Sequence, residues 1–303
     1  MGSRKLRRIA AENEALIAAG GYETEDGAHR FSPRIRACIE YPEAGHDALI
    51  REAAAHRSDR AAEITVVSGG TLAHAEEAVL NFADAFTPGG AYLTGAPAQE
   101  ECLCRESTLY ASLSSSEAAP FYERNRQRGR EDGTFLFSPH VEIFRAPLEE
   151  GFRLLPHPKI CAVITAAAPD LRTRGAWSPD GAAMDEEIKR RMRAFLAAAH
   201  LRGCKSLTLG AWGCGVFGHD AADMARRFRE VLIAGQWQSL SHGSCSPYMA
   251  TIHGAGTTGR LSGRHLKRNR EREPAEKAGA LLFRKAEADK CSRKKKETGI
   301  NTA

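Results

Sequence analysis

No apolar run in this chain of 303 residues approaches the roughly 18 to 20 residues that a membrane-spanning helix needs. A helix crossing a membrane is therefore excluded. The eight cysteines, at positions 38, 102, 104, 161, 204, 214, 245 and 291, include no CxxC pair. That spacing suits neither a structural zinc site nor a disulfide framework, and it predicts buried thiols in a reducing compartment. Nothing in the spacing asks for a metal or a cofactor. Aromatic residues make up only 7% of the chain, but hydrophobic residues reach 42% and charged residues 27%. This is ordinary globular composition and excludes a collagen-like or wholly disordered chain. Arg4, Lys5, Arg7 and Arg8 lead into a mixed helix rather than the apolar core of a secretion signal. The expected location is cytoplasmic, or nuclear if the source is a eukaryote.

The net charge of +5 is unevenly spread. From Arg260 onward there are 14 Lys and Arg against 6 Asp and Glu, whereas the other 259 residues carry 29 against 32. Residues 260–303 hold few large apolar residues outside Leu281, Leu282 and Phe283, so they read as a basic, largely disordered tail. Such a tail is either a polyanion-binding arm or a solvated run with no specific partner. The expected organisation is an N-terminal helical extension over 1–60, a core over 61–259 and the tail.

Residues 4–19 place Leu6, Ile9, Ala10, Leu16 and Ile17 at helical spacing and stop at Gly20-Gly21. A polar, strand-poor stretch with a turn at Asp26-Gly27 follows, and 47–56 reads as helix. Beyond residue 62 short apolar strands are predicted at 64–68, 79–82, 160–165, 206–209 and 249–252. Helices are predicted near 72–78, 99–112, 184–200 and 221–234. Ser112 to Ser116 and the segment from Gln127 to Gly133 read as exposed loops. Alternating strands and helices predict a layered α/β sheet with parallel neighbours, whose ligands bind beyond the carboxyl ends of the strands.

Two loops there carry chemistry. The segment from Ser206 to Asp220 runs from strand through Gly210, Gly213, Gly215 and Gly218 into a helix. The last three glycines fit GxGxxG, which lets backbone N–H groups converge on an anion such as a diphosphate. A tight turn that binds nothing stands as the plain alternative. A nicotinamide-binding fold would place this fingerprint early and an acid about 20 residues later. Here the loop is late and Gly235-Gln-Trp-Gln-Ser-Leu has no acid, which disfavours hydride transfer.

The other loop runs from Asn81 through Pro88-Gly89-Gly90-Ala91 to Pro97, followed by Gln99, Glu100 and Glu101 in the first turn of a helix. Adjacent helical side chains point about 100° apart, so the two carboxyls serve different jobs, one holding a ligand and one moving a proton. Dipole complementation alone would also explain two acids in a first turn.

Gly89-Gly90-Ala91, seven intervening residues and then Gln99-Glu100-Glu101 resemble the glycine-triplet and QEE signature of poly(ADP-ribose) glycohydrolases. Asn81-Phe82-Ala83-Asp84, the run from Leu103 to Tyr110 and the late Gly210–His219 loop are similar to the microbial-type branch. The resemblance spans about residues 4–255. It implies a macrodomain-like three-layer α/β/α fold with a mixed central sheet and extra N-terminal helices. It implies hydrolysis of ribose–ribose bonds in ADP-ribose polymers without a cofactor. Glu101 would be the general acid/base and Glu100 would fix the ribose hydroxyls. Asn81, Asp84, Gly89, Gly90, Ala91 and Gln99 would line the ribose side. Gly213, Cys214, Gly215, Val216 and Phe217 would cradle the diphosphate and distal ribose. The implied partners are ADP-ribose and poly(ADP-ribose), or ADP-ribosylated proteins. Removal of single ADP-ribose units, or binding without cleavage, are the alternatives.

The chain departs from the family pattern in three places. Asp84 stands where Asn is usual, which adds negative charge beside Glu101; this favours an acid role for the glutamate and opposes binding of an anion. Ala91 replaces the third glycine, harmlessly if its φ is negative. Asp170 also sits where Asn is common. Of the remaining candidates, Trp212, Tyr92 and Tyr110 read as core or as pocket lining, His219 as structural or phosphate-binding, and Asp220 as a helix N-cap.

Overall fold

The computed structural model describes residues 3–56, 63–67, 70–172, 181–234 and 249–253. Helix α1 (Ser3–Ala19) buries Leu6, Ile9, Ala10 and Ile17, as their spacing predicts, and ends at Gly20, whose φ of +77° suits glycine. A hairpin of β1 (Gly21–Thr24) and β2 (Gly27–Arg30) follows, then the short strand β3 (Ile39–Tyr41) and helix α2 (His46–Ala55). The chain continues through β4 (Glu63–Val67), β5 (Ala78–Phe82), α3 (Gln99–Glu106), α4 (Leu109–Leu113), α5 (Ala119–Arg128) and β6 (Phe135–Arg145). It ends with β7 (Leu154–Ala166), α6 (Gly181–Leu201), β8 (Ser206–Leu209), α7 (Ala221–Arg229) and β9 (Met249–His253).

Seven strands form one sheet in the order β3-β6-β7-β5-β8-β9-β4. The β7, β5, β8, β9 and β4 neighbours are parallel, whereas β6 runs antiparallel to both β3 and β7, so the sheet is mixed. Strand residues alternate between two buried faces, as a sheet covered on both sides requires. Ala78, Leu80, Phe135, Phe137, Ile164 and Leu207 face α2, α6 and α7. Val79, Leu136, Val141, Cys161 and Val163 face α1, α3, α4 and α5. The three-layer α/β/α expectation is met.

Several local expectations need correction. Residues 72–78 form no helix: only a 3₁₀ turn, Leu72–His74, precedes β5, because Ala78 is already paired with Ala162 and Leu207. The helix expected over 99–112 is two, α3 and α4. Ser107 between them is extended (φ −145°), bridges to Ile143 of β6, donates through Oγ to Leu103 O and accepts from Leu109 N. Ser112 lies in α4, not an exposed loop; it is buried, and its hydroxyl meets Ala37 O and Ser138 Oγ. Gln127 and Arg128 close α5, which stops at Gly129. The polar stretch after Gly21 is a hairpin, held by packing of Tyr22, His29, Phe31 and Phe144 rather than by an alternating pattern. Residues 3–56 thus supply a strand of the main sheet as well as helices. The 235–240 stretch, Cys245, Cys291 and the basic tail lie outside the described residues. No described helix is long and apolar enough to cross a membrane.

Candidate active site

β7, β5 and β8 are parallel neighbours, so their carboxyl ends open on one edge of the sheet. The loops that follow them, with the start of α3 and Thr71, line a cleft of about 520 Å³. Phe82 packs against Gly210, where a Cβ would stand 2.6 Å from the ring, and this brings the β5 and β8 loops together.

Gln99 opens α3 by completing the end of β5. Its Oε1 accepts from Phe82 N (2.9 Å) and its Nε2 donates to Leu80 O (2.9 Å). The side chain lines the cleft, yet both ends of its amide are engaged with strand backbone. With that anchor set, the next two residues turn their carboxyls into the cleft, and both are buried.

Glu100 Oε1 accepts from Asn81 Nδ2 (3.1 Å) and Oε2 from Asp84 N (2.8 Å). Asn81 itself does not line the cleft; it stands behind Glu100, also donating to Thr165 Oγ1 (3.2 Å). Burial pushes Glu100 well above the usual carboxylate range despite those two donors, with Glu101 and Asp84 adding repulsion. Glu101 is held differently. Its Oε1 accepts from Ala91 N (3.0 Å), and its Oε2 has no hydrogen-bond partner among the described residues.

The turn from Asp84 to Ala91 is shaped by the chain's own polar atoms. Asp84 Oδ1 accepts from Phe86 N (2.6 Å) and Thr87 N (3.0 Å), a local Asx-type bridge. Gly90 has φ +57°, and a Cβ there would stand 2.7 Å from Glu101 Oε1. Gly89, with φ +66°, lies outside the lining against Cys104 and Tyr110. Ala91 has φ −96°, so the departure from glycine is unstrained.

On the β8 side the loop is cross-linked by Cys214 N to Ala211 O, Gly218 N to Gly215 O and His219 N to Gly213 O. The backbone N–H groups of Gly215, Val216 and Phe217 have no protein partner among the described residues, which leaves donors for an anion at this wall. His219 is buried, its Nε2 2.7 Å from Pro169 O, so it ties this loop to the β7 loop. Asp220 caps α7, accepting from Ala222 N and Asp223 N. Asp185 of α6 takes Arg226 Nη2 (2.7 Å) and Arg227 Nε (2.8 Å), which fixes α7 and the loop before it.

Of the residues singled out in the sequence, the cleft gathers Asp84, Gly90, Ala91, Gln99, Glu100, Glu101 and the five from Gly213 to Phe217; Asn81 and Gly89 support it from behind. Sequence reasoning missed Thr71, Phe82 and the small lining residues Ala83, Ala98, Ala168 and Ala211. Alanines at strand ends carry no chemical signal. Trp212 is buried, donates to Ala166 O (2.8 Å) and lines the cleft, while Tyr92 is core. Asp170 pairs with Arg172 at 2.7 Å. Among the described residues no group of three or more His, Cys, Asp or Glu is placed to hold a metal ion.

The strand ends of this α/β/α fold thus carry a carboxyl pair in the same cleft as a glycine loop with free backbone donors, which pairs a group able to move a proton with a place for an anion. The family described as "Microbial-type PARG, catalytic domain" matches residues 10–146. Poly(ADP-ribose) glycohydrolase from Thermomonospora curvata is 28% identical with a TM-score of 0.75, over 93% of this chain and 99% of that one. Its complex with the inhibitor ADP-HPD gives 28% and 0.72, over 93% and 98%. The Deinococcus radiodurans enzyme in complex with ADP-ribose is 31% identical with a TM-score of 0.67, over 86% of this chain and 99% of that one. Comparison with the curated proteins returned no match. The chain belongs to the microbial-type poly(ADP-ribose) glycohydrolase family.

Proposed function

We propose that this protein hydrolyses the ribose–ribose O-glycosidic bonds of poly(ADP-ribose) and releases ADP-ribose. The observation that carries the reading is Glu101: one carboxyl oxygen is fixed by Ala91 N–H and the other is unpartnered, in the same cleft as the unpaired N–H groups of Gly215 to Phe217. A proton-transfer group and a diphosphate cradle in one cleft fit a nucleotide diphosphate sugar.

Glu101 gives its proton to the 2′-oxygen as that oxygen leaves the anomeric carbon. The resulting carboxylate then takes a proton from the water that attacks this carbon, so the acid is regenerated. Proton transfer of this kind is worth about 10²- to 10⁴-fold. Glu100 holds ribose hydroxyls, and its burial, which raises its pKa well above the usual carboxylate range, opposes a further negative charge beside the diphosphate. Orienting the ribose against Glu101 supplies further rate. Free thiols at Cys38, Cys104 and Cys161 suit a reducing, cytoplasmic setting.

The test is to incubate the protein with purified poly(ADP-ribose) and, separately, with a mono-ADP-ribosylated protein. Release of ADP-ribose from the polymer is the expected result. Release from the mono-modified protein alone would reassign the substrate, and binding without release from either would make the cleft a reader.

A further inference from the structure

Helix α1 begins with Arg4, Lys5, Arg7 and Arg8 and has no acidic residue in its first turn. All four side chains are exposed, while Leu6 and Ile9 pack inward with Phe152. Among the described residues, only Arg8 of the four has a carboxylate within ion-pair distance, an exposed pair with Glu12 at 3.4 Å. These residues stand out because residues 1–259 as a whole carry slightly more acid than base.

The place of this helix is fixed by the catalytic loop. Ser3 Oγ donates to Thr94 O (3.2 Å), and a Cβ on Gly95 would stand 2.6 Å from Ser3 O and 3.0 Å from Arg7 Cγ. Further along, the Tyr92 hydroxyl lies 3.3 Å from Glu14 Oε1, and Asn13 Nδ2 donates to Arg105 O of α3 (2.9 Å). The basic turns therefore ride on the 92–95 turn, directly after Ala91, whose N–H holds Glu101. The turn continues the stretch of cleft lining that holds the acid, a stretch separate in sequence from the glycine loop that would take the diphosphate of the bound unit.

We propose that the first two turns of α1, through Arg4, Lys5 and Arg7, bind the polymer beyond the scissile bond and recognise the diphosphate of the ADP-ribose unit next to the cleft. The inference rests on the hydrolase reading above. A repeating diphosphate polymer presents negative charge at regular intervals, and cations on a helix held beside the leaving-group side complement it. Exposed cations of this kind act mainly through salt-sensitive attraction.

The test uses the full-length protein with Arg4, Lys5 and Arg7 all changed to Ala. Kinetics on long poly(ADP-ribose) are compared with inhibition by free ADP-ribose, which occupies the cleft alone, over a range of salt concentrations. KM for the polymer should rise about three- to tenfold, and the slope of log(kcat/KM) against log salt should become shallower. The inhibition constant of ADP-ribose should stay that of the parent protein, which reports that the cleft is intact. A parent-like KM and slope would overturn the surface and assign the salt dependence elsewhere, the basic tail included. A matching rise in the ADP-ribose constant would also overturn it, because the change would then act through the cleft. If the parent protein released nothing from polymer, the hydrolase reading itself would fall, an outcome distinct from both.

Discussion

The backbone N–H of Ala91 donates to Glu101 Oε1 across 3.0 Å, so the turn that replaces the third glycine is also the clamp on the proposed acid. The residue type at 91 matters little for this bond, because only backbone is used. The residue before it matters a great deal.

Gly90→Ala should therefore be severe and Ala91→Gly mild. At 90 a Cβ meets Glu101 Oε1 at 2.7 Å with φ +57°, so the loop or the carboxyl must move. At 91 φ is −96°, and added backbone freedom should cost only about 0.5 kcal/mol of stability. Thermal unfolding and turnover of the two variants separate these outcomes; equal damage from both would contradict the geometry.

Asp84→Asn should keep the turn and tighten ADP-ribose. The amide oxygen replaces Oδ1 as acceptor for Phe86 N and Thr87 N, while one negative charge leaves the cleft. Calorimetry should show binding improved by about threefold or more at low salt. Weaker binding would mean that the second carboxylate oxygen is needed by the ligand.

ADP-ribose affinity should fall as pH rises through the titration of Glu100. Burial keeps this carboxyl protonated well above the ordinary range, and its ionisation places a negative charge beside Glu101 in a cleft that takes a diphosphate. Glu100→Gln should flatten that dependence. A pH-independent affinity in the parent protein would contradict the prediction, because it would show that no charge change at Glu100 governs binding over that range.

His46 predicts acid sensitivity of the fold rather than of the site. It is fully buried on Phe135, and burial, with Arg190 and Arg191 nearby and Asp47 opposing them, lowers its pKa from 6.5 to about 4. The unfolded chain takes up a proton below about pH 6.5 while the folded one resists until about pH 4, so stability is lost as pH falls through that window. Denaturant midpoints should drop by an amount equivalent to about 3 kcal/mol, and His46→Gln should reduce the slope.

The sheet edge and its two loops were legible because glycines, Pro88, Pro97 and the acidic pair are locally unusual. The layering followed from apolar strand ends such as Val79-Leu80 and Ile164. β6 was not legible, because Ser138, Pro139 and His140 interrupt its apolar run and the strand bulges between Ser138 and Val141 to continue. The break at Ser107 was hidden for a similar reason: its helical neighbours are good formers, and it is Ile143 of a distant strand that pulls it extended. At the site, the roles of Asn81 and Gln99 as supports depend on partners at Thr165 and Leu80, which residue type alone does not reveal.

The central claim is tested most directly by Glu101→Gln, assayed for ADP-ribose released from purified poly(ADP-ribose) alongside calorimetric binding of ADP-ribose. Gln keeps an acceptor for Ala91 N–H and cannot give or take the proton. The account predicts turnover reduced by about 10²- to 10⁴-fold with binding retained. Turnover equal to that of the parent protein would contradict it.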